Sequence, residues 1–232
     1  MSDITVIKTL PPGTSKLYEL RIYSIKPSCM GNYLQITKGK YHLRKAHSKL
    51  VGSWITEIGD VNEALHLWEY DNLSHRASVR AALGADRTWK VEYANEAHEY
   101  FDRQHSQLLS VPWGTVATEP FVEGVVLTGI YQLCALQVRS DAANMDIDKF
   151  SQITSIQERL LSEKKTGKLM GVFTTQIGDC DTVYQLWNYK TMDDVLECKE
   201  ALDNNSFYRS QGAFVKVSSK LLTALTSVSP LL

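Results

Sequence analysis

From Leu17 to Tyr23 the chain alternates: Tyr18, Leu20 and Ile22 stand against Glu19, Arg21 and Tyr23. Period two over seven residues predicts a strand with one buried face. Pro27-Ser28 ends it and starts a helix. From Cys29 to Lys49, Tyr33, Ile36, Leu43, Ala46 and then Leu50 recur at helical spacing, with Gly31 and Gly39 weakening the helix. Strands follow at Val51–Ile58 and Ala64–Tyr70, joined by Gly59-Asp60-Val61-Asn62, which supplies turn chemistry. A short helix is expected over Ser74–Leu83. A second runs over Thr88–Tyr100, with Trp89, Tyr93, Ala97 and Tyr100 on one stripe. Ser106–Val111 then reads as a closing strand.

The hairpin is written twice. Leu50–Leu73 reads LVGSWITEIGDVNEALHLWEYDNL, and Leu169–Met192 reads LMGVFTTQIGDCDTVYQLWNYKTM. Gly52 returns as Gly171 and Tyr70 as Tyr189, each 119 residues on. At the first strand the interval is 113, from Tyr18 to Tyr131, so six extra residues lie between strand and hairpin in the second copy. The second copy continues with a helix over Asp146–Lys164, another near Asp193–Ala201, and a final segment from Phe214 to Val228. The positions Leu50, Gly52, Trp54 and Ile58, with Leu169, Gly171, Phe173 and Ile177, are expected to form one buried face in each copy.

Each copy reads β-α-β-β-α-(α)-β, the split βαβ or ferredoxin-like plan. The fold class is therefore α+β, with two tandem ferredoxin-like units. Such a unit covers one sheet face with helices and leaves the other bare, so two units in one chain can press the bare faces together into a barrel-like core. The expected division is a tail over 1–16, a first unit over 17–111, a linker over 112–124 (PWGTVATEPFVEG from Pro112) and a second unit over 125–232.

The 232 residues carry 25 basic and 26 acidic side chains, a net charge of −1, with no polybasic run. Nucleic acid is excluded as the main partner, since its affinity depends on clustered phosphate neutralisation. No apolar run approaches the ~20 residues that span a bilayer. The start, MSDITVIKTLPPGTSK, resembles neither a secretory signal nor a transit peptide. Cys29, Cys134, Cys180 and Cys198 form no C-x-x-C pair and read as structural thiols of a reducing compartment.

YELRIY, HLRKAHSKLVGSW, ALHLWEYDNLSHRASVRAAL, LLSVPW and the terminal SVSPLL resemble the NIPSNAP family. The resemblance covers almost everything after Lys16 and is more specific in the first half. It implies tandem dimeric α/β-barrel domains, association with mitochondria, and a part in vesicle traffic or in tagging damaged mitochondria for autophagy. It brings no settled catalytic activity and no cofactor. The chain differs in lacking the usual mitochondrial leader; without one, a cytoplasmic location is expected.

All six histidines fall in the first copy. Counted at the hairpin interval, His42, Arg44 and His47 become Leu161, Glu163 and Thr166, and His66 becomes Gln185. No metal site is expected. His42 and His47 are five apart, on different sides of a helix, where a helical zinc pair needs i, i+4. The candidate ligand-binding residues are Glu19, Arg21, His47, His66, Trp68 and Tyr70. Glu19 and Arg21 alternate away from the apolar face of their strand, and His66, Trp68 and Tyr70 share a face of theirs. If both sets look into the space between the sheets, they form a polar, aromatic pocket there. The plainer reading is an ion pair with aromatic packing in the inter-unit core. No phosphate loop, dinucleotide fingerprint or nucleophile elbow is present.

Two functions remain. One is a non-enzymatic scaffold or adaptor that binds other proteins, with homo-oligomerisation open. The other is a small-molecule or haem-type enzyme of the dimeric α/β-barrel class, with its site in the first unit. An open pocket lined by His66, Arg21 or His47 would favour the enzyme, and a dry, filled core the scaffold.

Overall fold

The computed structural model describes residues 16–111, 130–138, 147–179, 182–205 and 214–225. The expected linker over 112–124 lies outside the described residues, as does the tail apart from Lys16. The first copy contains β1 (Leu17–Ile25), α1 (Met30–Lys40), α2 (His42–Lys45), β2 (Lys49–Ile58), β3 (Glu63–Tyr70) and α3 (Leu73–Ala85). A helical run follows: α4 (Arg87–Trp89), a π-type turn over Lys90–Ala94, and α5 (Asn95–Glu99). β4 (Phe101–Ser110) closes the copy. The second contains β5 (Ile130–Val138), α6 (Ile147–Lys164), β6 (Gly167–Ile177), β7 (Thr182–Tyr189), α7 (Met192–Asp203) and β8 (Phe214–Ala224).

Every ladder is antiparallel, and the eight strands close in the order β1-β3-β2-β8-β5-β7-β6-β4. Each copy keeps the ferredoxin-like order, β4-β1-β3-β2 and β8-β5-β7-β6. The β2–β8 and β4–β6 ladders join them. Closure satisfies the strand edges that a lone four-stranded sheet would leave unpaired. Tyr18, Leu20, Trp54, Leu65, Tyr131, Phe173, Leu186 and Leu222 fill the barrel. Outside it, α1, α3 and the α4–α5 run cover the first sheet around Trp68, Tyr70, Val79 and Tyr93. α6 and α7 cover the second around Trp187, Tyr189, Leu161 and Cys198.

The repeated hairpin positions do not share one buried face. The register slips between Leu50 and Gly52, and again between Leu169 and Gly171. The bulge sends Leu50 to the helix-side core and its neighbour Val51 into the barrel. Met170 likewise enters the barrel, while Leu169 packs against the helix-side clusters. A second slip occurs before Ile58, and another between Leu108 and Leu109 where β4 meets β6. Ile58 and Ile177 end 56% and 58% exposed. One extra residue per bulge reverses the parity on which a period-two reading depends. Trp54 and Phe173 are buried in the barrel as expected.

Candidate functional site

The β1 alternation puts Tyr18 and Leu20 in the barrel, so Glu19 and Arg21 face the opposite way, beneath the helices. His66, Trp68 and Tyr70 face the same way from β3, since Leu65 and Leu67 take the barrel side. The expectation that these residues look into the inter-sheet space is thus corrected. Apolar residues won that space, and the polar set lies in the helix–sheet layer of the first copy. β1 and β3 are neighbours, with Arg21 opposite His66 and Glu19 opposite Trp68.

Glu19 is the hub, 1% exposed. Arg76, from α3, donates to both its carboxylate oxygens at 3.2 and 2.8 Å. Ser106 donates to it from β4 at 2.6 Å, and the Tyr70 hydroxyl at 3.2 Å. The Arg21 Nε lies 4.0 Å away. Burial would raise the carboxyl pKa, but the bonds from Arg76 and Ser106 and the charge of Arg21 hold it down, to about 2. Tyr70 also accepts from Arg44 at 3.1 Å. The Arg44 guanidinium lies 3.9 Å from the Trp68 ring centroid and donates to Ser48 at 2.7 Å. Arg76 thus bonds the carboxylate directly, Arg21 acts on it by charge from 4.0 Å, and Arg44 reaches it through Tyr70.

His66, 2% exposed, is held between two phenols. The Tyr41 hydroxyl is 2.6 Å from its Nδ1 and the Tyr33 hydroxyl 3.1 Å from its Nε2. Burial, then the charges of Arg21 and Arg44, push the imidazole down to about 3. It is neutral at physiological pH, one nitrogen donating and the other accepting. Burial raises both tyrosines well above their ordinary range. His47 stands apart from this set. Its Nε2 lies 2.8 Å from Asp86, the residue that caps α4 through the Trp89 N–H.

The second copy builds the same network without charge. Tyr189 donates to Gln132 at 3.3 Å, as Tyr70 does to Glu19. Gln157 donates to Tyr189 at 3.3 Å, as Arg44 does to Tyr70. Gln185 bonds Thr154 at 2.8 Å, as His66 does Tyr41. Ser219 meets Gln132, as Ser106 meets Glu19. Thr154 and Gln157 lie 113 residues beyond Tyr41 and Arg44 (154 − 41 and 157 − 44). The helix therefore follows the first-strand interval, and the extra six residues prolong α6 after Gln157. Matching Arg44 to Glu163 by the hairpin interval is corrected accordingly. Sequence reasoning missed Arg44, Tyr41 and Arg76 as members of the network. The 113 interval between the first strands could have paired Arg44 with Gln157.

The barrel centre is almost filled, with about 10 Å3 left among Leu20, Trp54, Leu65 and Phe173. A larger cavity of about 200 Å3 lies at the barrel mouth and involves none of the six candidate residues. Among the described residues, no group of three or more His, Cys, Asp or Glu could hold a metal ion. No described helix is long and apolar enough to cross a membrane.

The sequence profile of the NIPSNAP family matches residues 18–114 and 145–230. Protein NipSnap homolog 3A of Pongo abelii is 34% identical over 178 residues, 76% of this chain and 68% of that protein. A NipSnap homolog of Dictyostelium discoideum is 25% identical over 198 residues, 82% of this chain and 77% of that one. Among solved structures, a Fusobacterium nucleatum protein provisionally named a monooxygenase superposes with a TM-score of 0.60. The superposition covers 91% of this chain and 93% of that chain at 8% identity, a likeness of fold alone.

Proposed function

The chain belongs to the NIPSNAP family, and from that premise we propose that it is a non-enzymatic scaffold or adaptor that binds other proteins. In this reading it acts at mitochondria, in damage signalling for autophagy or in vesicle traffic, as the family resemblance implies. Its working parts are two units, over 17–111 and 125–232, that present outer helices around a filled barrel. The observation that carries the reading is the engagement of the candidate groups with one another. Glu19 is bonded by Arg76, Ser106 and Tyr70, and both ring nitrogens of His66 face tyrosine hydroxyls. Buried polar groups satisfied in this way stabilise a layer, and they leave the Glu19 carboxylate and the His66 ring engaged within the protein.

The competing reading, a small-molecule or haem-type enzyme with its site in the first unit, draws support from the charge that only the first copy carries. It calls for an open pocket lined by His66, Arg21 or His47, and of these His66 is closed off by Tyr33 and Tyr41. Affinity capture with the full chain, set beside an absorption spectrum of the purified protein, tests the choice. The adaptor reading expects the same captured proteins with folded His66→Gln as with the unaltered chain, and association of the tagged chain with a mitochondrial fraction. A visible absorbance band or a turnover lost in His66→Gln would overturn it in favour of the enzyme.

A further inference from the structure

The barrel is filled at its centre but open at the end that carries the hairpin turns. The cavity of about 200 Å3 there has buried Leu133 and Ala135, with Ile22, on its floor and exposed Arg103, His105 and Asp179 at its rim. Leu133 and Tyr184 line both this cavity and the small central void, so the mouth ends blindly on the core. It is smaller than the ~300–1,000 Å3 of pockets for drug-sized ligands, which restricts it to a small molecule.

The two copies meet at this mouth through equivalent contacts of unequal charge. Asp60 and Asp179 are 119 apart, and Gln107 and Lys220 are 113 apart (179 − 60 and 220 − 107). On one side the Lys220 ammonium lies 2.9 Å from Asp60 and also bonds Glu63. On the other side glutamine stands at the lysine position. Gln107 donates to Asp179 at 2.9 Å and to the Tyr184 hydroxyl at 2.7 Å, while its carbonyl accepts from Thr175 at 3.3 Å. Gln107 is 2% exposed and held at both ends, so it positions the Asp179 carboxylate without neutralising it. Among the described residues no ion pair joins Asp179 to a cation, or Arg103 or His105 to a carboxylate; the charge of Arg103 acts from a distance on Asp60, which Lys220 already pairs. Arg103 and His105 share the inward parity of Gln107 and Leu109 on β4, and all but Leu109 line the cavity.

A pocket with an anion and a cation that no direct ion pair engages, over an apolar floor, matches a molecule with an ammonium, a carboxylate and a short apolar body. We propose that the barrel mouth binds a small zwitterion of amino-acid size. Its ammonium meets Asp179, its carboxylate meets Arg103 and His105, and its side chain lies on Ile22, Leu133 and Ala135. Tyr184, having accepted from Gln107, keeps its own O–H to donate to the ligand. The site requires both copies, because β4 supplies the cation and the β6–β7 turn the anion. This goes beyond the adaptor reading and does not depend on it.

The test is titration of the isotope-labelled full chain with L-alanine, L-valine and L-leucine, followed by amide chemical shifts. Isocaproate and isoamylamine, which are leucine without its amine and without its carboxylate, serve as one-ended probes. At least one amino acid should shift the amides of Ile22, His105 and Leu133, and each one-ended probe should bind at least about tenfold more weakly than leucine. Asp179→Asn and Arg103→Ala should each lose at least about tenfold, at unchanged melting temperature, and Asp203→Asn on α7 should bind normally. Absence of shifts with all three amino acids up to about 10 mM would overturn the proposal. So would one-ended probes that match leucine, or full binding by both rim variants.

Discussion

The Tyr41 hydroxyl lies 2.6 Å from Nδ1 of His66, and together with Tyr33 it encloses that neutral imidazole inside the first helix–sheet layer. The second copy places Thr154 and Gln185 at the same two positions, a pair that cannot titrate. The difference gives the first network an acid sensitivity that its counterpart in the second copy lacks.

His66 has a folded pKa of about 3 against an ordinary 6.5. The unfolded chain therefore binds a proton below pH 6.5 that the folded chain refuses. Stability from this group is present above pH 6.5 and is lost as pH falls from there toward 3, at up to about 1.4 kcal/mol per pH unit. Denaturant melts at pH 7, 6 and 5 should show the decline, and His66→Gln, which copies the second unit, should flatten it. An equal decline in His66→Gln would place the sensitivity elsewhere. Glu19 adds its own loss only below about pH 4.5, down to its folded value of about 2.

Glu19→Gln leaves Arg76 and Arg21 without their shared carboxylate. Removing one partner of a buried ion pair costs about 3–5 kcal/mol, because the remaining charge stays desolvated. The double variant Glu19→Gln/Arg76→Val reproduces Gln132 and Val195 of the second copy and should recover part of the loss. Urea melts of the two variants check it, and a double variant no more stable than the single one would refute the charge argument.

Trp54→Ala empties a wall of the barrel where the indole is 2% exposed and packs 5.8 Å from Tyr131, between ring centroids. The expected loss is about 3–5 kcal/mol by denaturant titration.

Glycine substitutions should separate by backbone angle. Gly178 has φ +129°, and a Cβ there would lie 2.9 Å from Gln107 Cγ, so Gly178→Ala should cost about 1–3 kcal/mol. In α1, a methyl group added at Gly31 or Gly39 would meet nothing within 4 Å, so alanine at either should stabilise by about 0.5–1 kcal/mol. Thermal melts of the three variants read both signs.

The order of elements, the duplication and the closing of two sheets on each other were legible in the chain. Alternation at Tyr18-Leu20-Ile22 and the constant 119 interval are local signals, and each depends only on the order of residues along the sequence. Burial of Trp54 and Phe173 was legible for the same reason. The facing of Glu19, Arg21 and His66 was not. Alternation says that two faces differ, but which face meets helices and which meets the other sheet depends on what the rest of the chain supplies to each layer. Here the large apolar residues of both copies filled the barrel, because that space admits little water and has no helix to provide polar partners. The charged set then went beneath the helices, where Arg76, Arg44, Tyr41 and Ser106 could satisfy it. The bulges at Val51 and Met170 were also invisible, since an extra residue changes facing without changing composition. The mouth was the most remote of all. Asp179, Gln107 and Arg103 belong to different strands and turns of both copies, and only closure of the barrel brings them around one cavity.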